Sequence, residues 1–197
     1  MGDRKAFFYG TLMSRRILFR VIYLNEKADQ DPVMSRMADQ LTYEPAILHS
    51  YGRFKVQGYD YPGIRRAEGY CVRGTYVTGL TDANMAHLDA FEGSQYHLEK
   101  VRVGILESAK PLGEEKGEGV SRALEEGQEV EAETYVWNKS DVGLETTEWD
   151  FGEFVRDKLQ NWVGSSDEYQ ESDDAHARNE GHDPTGGRGA RSDKWKQ

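Results

Sequence analysis

The sequence predicts an α+β domain built on a small mixed β-sheet or β-barrel flanked by helices. Most of the structured segments are rich in β-branched and aromatic residues, which favour strands. Only a few segments repeat apolar residues at helical spacing, and they do not alternate regularly with the strands, which argues against a parallel βαβ sheet. With 197 residues, the chain is long enough for one domain with a sizeable core.

The first elements are a strand, a glycine turn and helical segments. "RKAFFYGTL" has the aromatic density of a buried strand, which Gly10 ends. After Ser14, one apolar stripe follows at helical spacing, formed by Ile17, Leu18, Val21 and Ile22. A second helix is predicted in "DPVMSRMADQL", with Asp31 as its cap and Pro32 in its first position.

The middle of the chain predicts strands followed by one well-defined helix. "PAILHSYGRFKVQGYDYPGIRR" indicates short strands broken by its turn residues, namely Gly52, Gly58 and Pro62-Gly63. "EGYCVRGTYVTGL" is the longest strand candidate. In "LTDANMAHLDAFEG", Thr81 or Asp82 caps a helix that Gly93 ends in a left-handed conformation. The buried face of that helix is predicted to carry Met85, Leu88 and Phe91.

The last elements are two strands and a helix. "KVRVGILES" and "EVEAETYVW" are the strands, and the glycine-rich acidic stretch at about 108–128 is predicted to be a loop inserted between them, with one weak helical signal in "VSRALEEG". Asp150 and Glu153 then form a capping pair at the start of a helix that Gly164 ends. Its apolar stripe is predicted to comprise Phe151, Phe154, Val155, Leu159 and Trp162.

The domain is predicted to span residues 1–164, with a disordered tail at 165–197. The tail is polar, charged and glycine-rich, so it cannot bury enough apolar surface to offset its ordering entropy. We therefore expect that deletion of the chain after Gly164 leaves the melting temperature unchanged. A fall of several degrees in a thermal unfolding experiment would show that the tail contributes to the folded domain.

Composition excludes several classes of function. The net charge of −10 and pI near 5.0 argue against nucleic-acid partners and acidic membranes. Cys71 is the single cysteine, which excludes an internal disulfide and is expected to be an inert core thiol. No stretch reaches the roughly 20 apolar residues of a membrane helix, so a cytoplasmic protein is expected. His49, His87 and His97 lack metal-ligand spacing, which predicts a site without metal or cofactor.

Glu92 is the first candidate for chemistry. It falls in the last turn of the capped helix, where the helix dipole disfavours a carboxylate by about 0.3–1 kcal/mol. Burial beside Phe91 and Tyr96 would disfavour the charged form further, which suits a proton acceptor. The alternative is a solvated acid at the end of a helix. The second candidate is the turn from Tyr9 to Leu12, whose N–H groups could bind a carboxylate or oxyanion, although Gly10 could serve the sharp turn alone.

Four motifs in this order resemble the gamma-glutamylcyclotransferase-like superfamily, in particular its plant and fungal avirulence-induced-gene-like branch. They are "FFYGTLM", "YPGIRRAEGYCVRGTYV", "LTDANMAHLDAFEGSQYHLEKVRV" and "ETYVWNKSD…EWDFGEFVRDKL". The resemblance covers about residues 5–162 without the acidic insert. It implies a small mixed barrel with a pocket at its mouth, a small γ-glutamyl substrate, no cofactor, and a monomer or homodimer.

The resemblance also implies roles for individual residues. Glu92 would be the general acid and base, and Tyr96 would line the pocket. The γ-glutamyl group would be bound by the turn formed by Tyr9, Gly10, Thr11, Leu12, Met13 and Ser14. The reaction implied is an amide-cleaving cyclisation, of acyltransferase or amidine-lyase type, that yields 5-oxoproline and a free amine.

One position departs from the family pattern and leaves alternatives open. Many relatives carry an arginine two residues after the tyrosine, whereas this chain has Leu98. A basic partner for the substrate would then be absent or supplied by Lys100, Arg102 or Arg65. The alternatives are an enzyme of the same fold that performs proton transfer, cyclisation or acyl transfer on another metabolite, and a non-catalytic binding protein.

Overall fold

The computed structural model describes residues 2–25, 32–108, 124–138, 143–159 and 162. The predicted tail at 165–197, the predicted Asp31 cap, Gly164 and the larger part of the predicted insert lie outside these ranges. The described elements, in chain order, are β1 (Arg4–Phe8), α1 (Arg15–Tyr23), α2 (Pro32–Ala38), β2 (Thr42–Val56), β3 (Pro62–Leu80), α3 (Asp82–Glu92), β4 (Tyr96–Ser108), β5 (Leu124–Trp137), β6 (Leu144–Glu148) and α4 (Phe151–Asp157).

The strands form a mixed sheet that closes on itself. Their order is β3-β1-β5-β4-β2-β6, and an additional pairing of β3 with β2 closes a ring of five strands. The pairing of β1 with β5 is parallel and the other pairings are antiparallel. The α+β class with a small mixed barrel and flanking helices is therefore confirmed.

Two clusters of buried side chains form the core. One cluster consists of strand residues and Tyr9 and lies inside the ring, while the other joins the outer face of the strands to α1, α3 and α4. Along β1, Phe7 belongs to the first cluster, whereas Ala6 and Phe8 belong to the second. This alternation follows from the two-residue period of a strand. β1 therefore lies between the two clusters.

Helix α3 is capped as predicted. The Thr81 hydroxyl accepts a hydrogen bond from the Asn84 N–H at 3.1 Å, and the Asn84 side chain accepts one from the Thr81 N–H at 3.0 Å. The predicted face, with Met85, Leu88 and Phe91, is buried. The reciprocal bonds satisfy two of the donors that a helix start leaves unpaired.

Replacing Thr81 by alanine is expected to lower the free energy of unfolding by about 0.5–2 kcal/mol, because the side-chain cap is lost. Urea unfolding measures this change. Thr146→Ala is the matched control, since Thr146 is exposed on β6. Unfolding of the two variants at the same urea concentration would show that the Thr81 cap does not stabilise α3.

Of the predicted break points, the one at Gly58 is confirmed, whereas those at Gly52 and Pro62-Gly63 are wrong. β2 continues for 15 residues through Gly52, and β3 begins at Pro62 and runs through Gly63 for 19 residues. Only the turn containing Gly58, with φ of 79°, separates them. The long strands bend instead, because the pairing of β2 with β3 shifts register between His49 and Tyr51.

Other differences concern the C-terminal half. β6, "LETTE", is a strand that the sequence did not predict. Residues 124–128 of the predicted loop belong to β5, so the weak helical signal in "VSRALEEG" is wrong where it is described. Val155 is 39% exposed and not part of the buried stripe of α4, whereas Phe154 is buried. The Asp150 side chain caps α4 by accepting a hydrogen bond from the Glu153 N–H at 2.7 Å, as predicted.

Candidate active site

The turn after β1 presents backbone N–H groups. A short 3₁₀ turn runs from Thr11 to Met13, and the Met13 N–H donates to the Gly10 carbonyl at 3.0 Å. As the first residues of a helical turn, Thr11 and Leu12 have N–H groups without an acceptor inside the turn. Close packing favours glycine at position 10, since a Cβ atom there would lie 3.0 Å from the Pro62 ring. The turn is thus held against the start of β3.

Glu92 is the last residue of α3 and is 8% exposed. The following residue, Gly93, has φ of 63° and ψ of −163°. The positive φ agrees with the prediction, but the ψ value is extended rather than left-handed helical, a combination that is essentially restricted to glycine. The conformation of Gly93 thus ends the helix directly after Glu92. Because Glu92 is buried, the alternative of a solvated acid at an exposed helix end is wrong.

A small cavity brings the two candidates together. It encloses about 20 Å³, which is room for roughly one water molecule. Its lining comprises Phe7, Phe8, Tyr9, Gly10, Thr11, Leu12, Tyr61, Pro62, Glu92, Tyr96 and Tyr135. Six of the eight predicted site residues therefore share one cavity. The other two, Met13 and Ser14, are not among the described residues that line it.

Met13 and Ser14 have structural positions instead. Met13 is partly buried and packs against the cluster between the sheet and the helices. Ser14 is the residue before α1, and its carbonyl accepts the first helical hydrogen bond from the Leu18 N–H at 2.9 Å. The cavity thus uses the turn only as far as Leu12.

Tyr135 is a cavity residue that no local sequence pattern pointed to. Its hydroxyl donates to the Asp89 carboxylate at 2.7 Å. Burial raises the pKa of the Tyr135 hydroxyl, and the nearby carboxylates of Asp89, Glu92 and Glu133 raise it further. The Tyr135 hydroxyl therefore stays protonated and cannot serve as a general base near neutral pH. Among the described lining residues, Glu92 carries the one carboxylate and is the candidate proton acceptor.

Two other tyrosines form a wall of the cavity. The Tyr96 hydroxyl donates to the Pro62 carbonyl at 2.8 Å, and the Tyr61 hydroxyl donates to the Gln95 side chain at 3.0 Å. These bonds tie the start of β4 to the start of β3. Tyr61 and Pro62 were not predicted as site residues, although "YPG" was part of the second family motif, because only the pairing of distant strands places them beside Glu92.

The cavity lining contains neither Lys nor Arg among the described residues. The three predicted substitutes for the family arginine lie elsewhere: Lys100 is 3.7 Å from Glu131, Arg102 is 3.5 Å from Glu129, and the Arg65 guanidinium lies 4.6 Å from the centre of the Phe54 ring. Leu98 is 36% exposed. An anionic ligand in this cavity would thus meet backbone N–H groups.

Other candidate groups lie outside the cavity. Cys71 is exposed on β3, so its prediction as a core thiol is wrong: it occupies an outward position in the strand alternation next to the buried Val72. No group of three or more potential metal-ligating side chains occurs in the described ranges. Within those same ranges, none of the helices is both long and apolar enough to cross a membrane.

Comparisons with known proteins agree with the motifs. The model of a family described as "Gamma-glutamyl cyclotransferase, AIG2-like" matches residues 6–151. The chain is 32% identical to Protein AIG2 C of Arabidopsis thaliana over 152 residues, which cover 77% of this chain and 72% of that protein. It is 30% identical to Protein AIG2 B of the same plant over 140 residues, covering 69% and 72%.

Among solved structures, the chain is similar to an AIG2-like protein from Mus musculus with a TM-score of 0.47 and 18% identity. The alignment covers 78% of this chain and 91% of that chain.

Proposed function

The chain belongs to the gamma-glutamyl cyclotransferase, AIG2-like family, and from this membership we propose that it converts a γ-glutamyl amine or peptide to 5-oxoproline and the free amine. Glu92 is the general acid and base in this proposal. The turn from Gly10 to Leu12 binds the reacting end of the substrate. Tyr9 and Tyr96 shape the pocket around it.

The observation that carries the proposal is the position of Glu92. Glu92 is 8% exposed and lines one small cavity together with the residues of the turn. A proton acceptor and a set of oxyanion donors on opposite sides of one reacting carbonyl are the arrangement that acyl transfer requires. Exclusion of water strengthens both interactions.

The reaction follows from this arrangement. The α-amine of the substrate attacks the carbonyl carbon of its own γ-amide, a new C–N bond closes a five-membered ring, and Glu92 accepts the proton that the nitrogen loses. The N–H groups of the turn from Gly10 to Leu12 stabilise the oxygen of the tetrahedral intermediate. Glu92 then gives the proton to the leaving nitrogen as the amide C–N bond breaks.

The protein's main task is to fold the substrate. Reacting groups in one molecule have effective molarities of up to about 10⁵–10⁸ M when they are well oriented. A γ-glutamyl group is larger than the cavity volume of about 20 Å³, so we expect aromatic side chains of the lining to move when the substrate binds. The substrate carboxylate, which meets no Lys or Arg side chain among the described lining residues, is expected to bind backbone N–H groups.

An activity assay tests the proposal. Purified protein is incubated with γ-glutamyl-ε-lysine, glutathione or γ-glutamyl-alanine, and 5-oxoproline is quantified. We expect release from at least one of them, and the preferred amine identifies the substrate class. A folded protein that releases 5-oxoproline from none of the three would contradict the proposal and favour a different substrate or a binding role.

A further inference from the structure

Arg53 lies directly behind the turn after β1. Its Nη1 atom donates to the carbonyl of Tyr9 at 3.0 Å and to that of Arg73 at 3.3 Å. The Arg53 side chain is 12% exposed, and its Nη2 atom is 3.8 Å from the Glu148 carboxylate. The guanidinium carbon lies 5.4 Å from the centre of the Trp149 ring. The guanidinium is thus held between β3, β6 and the turn.

Arg53 is a cation in a largely buried position. Burial lowers the pKa of the Arg53 guanidinium, while the carboxylates of Glu148 and Asp150 oppose that shift. The group stays charged because an arginine loses its proton only far above neutral pH. A buried ion is often less stabilising than an apolar side chain of similar size. The charge lies beside the turn, where it can act on the main chain.

The geometry of one peptide bond connects Arg53 to the cavity. No peptide bond in the described part of the chain is cis, and in a planar trans peptide the C=O and N–H groups point in opposite directions. Because the Tyr9 carbonyl points toward Arg53, the Gly10 N–H points away from it. Gly10 lines the cavity, while Arg53 is not among the described lining residues. An N–H group that points away from Arg53 can therefore face the cavity that Gly10 lines.

The other end of Tyr9 is also held. Its hydroxyl donates to the backbone carbonyl of Tyr135 at 2.6 Å. With its hydroxyl bound to β5 and its carbonyl bound to Arg53, Tyr9 has little freedom to rotate. The Tyr9–Gly10 peptide plane cannot turn over unless the Arg53 bond breaks.

We infer that Arg53 is a positioning residue for the proposed reaction: it fixes the Tyr9–Gly10 peptide so that the Gly10 N–H donates into the cavity opposite Glu92. The inference rests on the proposed function. A charged donor on the carbonyl also polarises the amide, which makes its N–H a stronger hydrogen-bond donor. Arg53 thereby acts on the oxyanion through the main chain without touching the substrate.

Kinetics provide the first test. Arg53→Met keeps much of the length of the side chain but removes both hydrogen bonds and the charge. We expect kcat to fall about 10–100-fold, because a small displacement of a group that contacts the reacting atoms reduces the rate by factors of this size. KM is expected to change much less. Arg53→Lys, which keeps the charge, is expected to recover part of the rate and serves as a second variant if Arg53→Met does not fold. Arg66→Met is the control, because Arg66 is a 71% exposed cation paired with Glu99, and its kcat should equal that of the wild type.

Nuclear magnetic resonance provides a test that does not require turnover. Protein labelled with ¹³C on tyrosine carbonyls and ¹⁵N on glycine gives coupled signals only from Tyr–Gly pairs, and the sequence contains two, Tyr9–Gly10 and Tyr51–Gly52. We expect the Tyr9–Gly10 signal to shift in the Arg53 variants and to stay in place in Arg66→Met. If the wild type releases no 5-oxoproline, the proposed function fails. The shift of the Tyr9–Gly10 signal still shows in that case whether Arg53 fixes the Tyr9–Gly10 peptide.

Two results would overturn the inference. One is a Tyr9–Gly10 signal in Arg53→Met that coincides with that of the wild type. The other is a kcat in folded Arg53→Met that equals the wild-type value, or one that falls no further than the kcat of Arg66→Met.

Discussion

Replacement of Glu92 by glutamine is expected to reduce kcat for 5-oxoproline release by about 10²–10⁴-fold, the usual contribution of a positioned general acid and base. Glutamine keeps the shape of the side chain and can still form hydrogen bonds, but it cannot accept the proton of the attacking amine. Because the Glu92 side chain is buried, the neutral variant is expected to unfold at the same or a higher temperature. Steady-state kinetics and thermal unfolding on one preparation separate the two effects.

Asp89→Asn is the matched control for this variant. Asp89 lies one turn earlier on α3 and is exposed, and asparagine retains an oxygen that can accept the bond from the Tyr135 hydroxyl. We expect its kcat to stay close to that of the wild type. An equal loss of kcat in both variants, or an unchanged kcat in Glu92→Gln, would argue against Glu92 as the proton acceptor.

Leu88→Ala is expected to destabilise the domain more than Thr81→Ala or Glu92→Gln. Leu88 is 0% exposed and belongs to the cluster that joins α3 to the sheet. Truncation of a buried leucine to alanine costs about 2–5 kcal/mol, since apolar contacts are lost and a cavity remains. This loss is a large part of the roughly 5–15 kcal/mol that typically stabilises a domain. Urea unfolding monitored by tryptophan fluorescence gives the difference.

Leu98→Ala provides the same chemical change at a partly exposed position. Leu98 is 36% exposed on β4, so the loss there is expected to be well under that of Leu88→Ala. Equal losses of unfolding free energy in the two leucine variants would show that the packing of α3 against the sheet does not set the stability.

The local features of the fold were predictable because short stretches of sequence determine them. The helix that carries Glu92 could be predicted from the Thr81 cap, the buried face and Gly93, all within "LTDANMAHLDAFEG". β1 could be predicted from its aromatic run. These elements also place the two halves of the candidate site, since β1 leads into Gly10 and α3 ends at Glu92.

Features that depend on strand pairing were not predictable from local patterns. β6 has a single buried residue, Leu144, in five, so it lacks the alternation that signals a strand. The sequence predicts a strand break at Gly52, but Gly52 is paired with Arg65 inside the long β2–β3 ladder. The apolar neighbours of Cys71 predict a core position, but a run of apolar residues does not show which side chains point outward.

The candidate site shows the same division. Its turn and its carboxylate were identified from the residues and the resemblance, whereas Tyr61, Pro62 and Tyr135 reach the cavity only through the register of β3, β4 and β5. The role inferred for Arg53 could not be predicted from a local pattern either, because its hydrogen-bond partner, the Tyr9 carbonyl, is 44 residues away in the chain.

The most direct test of the proposed site is where a substrate analogue binds. Glutaryl-alanine has the carbonyl and carboxylate groups of γ-glutamyl-alanine but lacks the α-amine, so it cannot cyclise. In ¹H–¹⁵N spectra, we expect its largest chemical-shift changes to fall on the amides of Gly10, Thr11, Leu12 and Glu92. Changes confined to another surface, such as the open groove that includes His49 and Arg102, would contradict a site between the turn and Glu92.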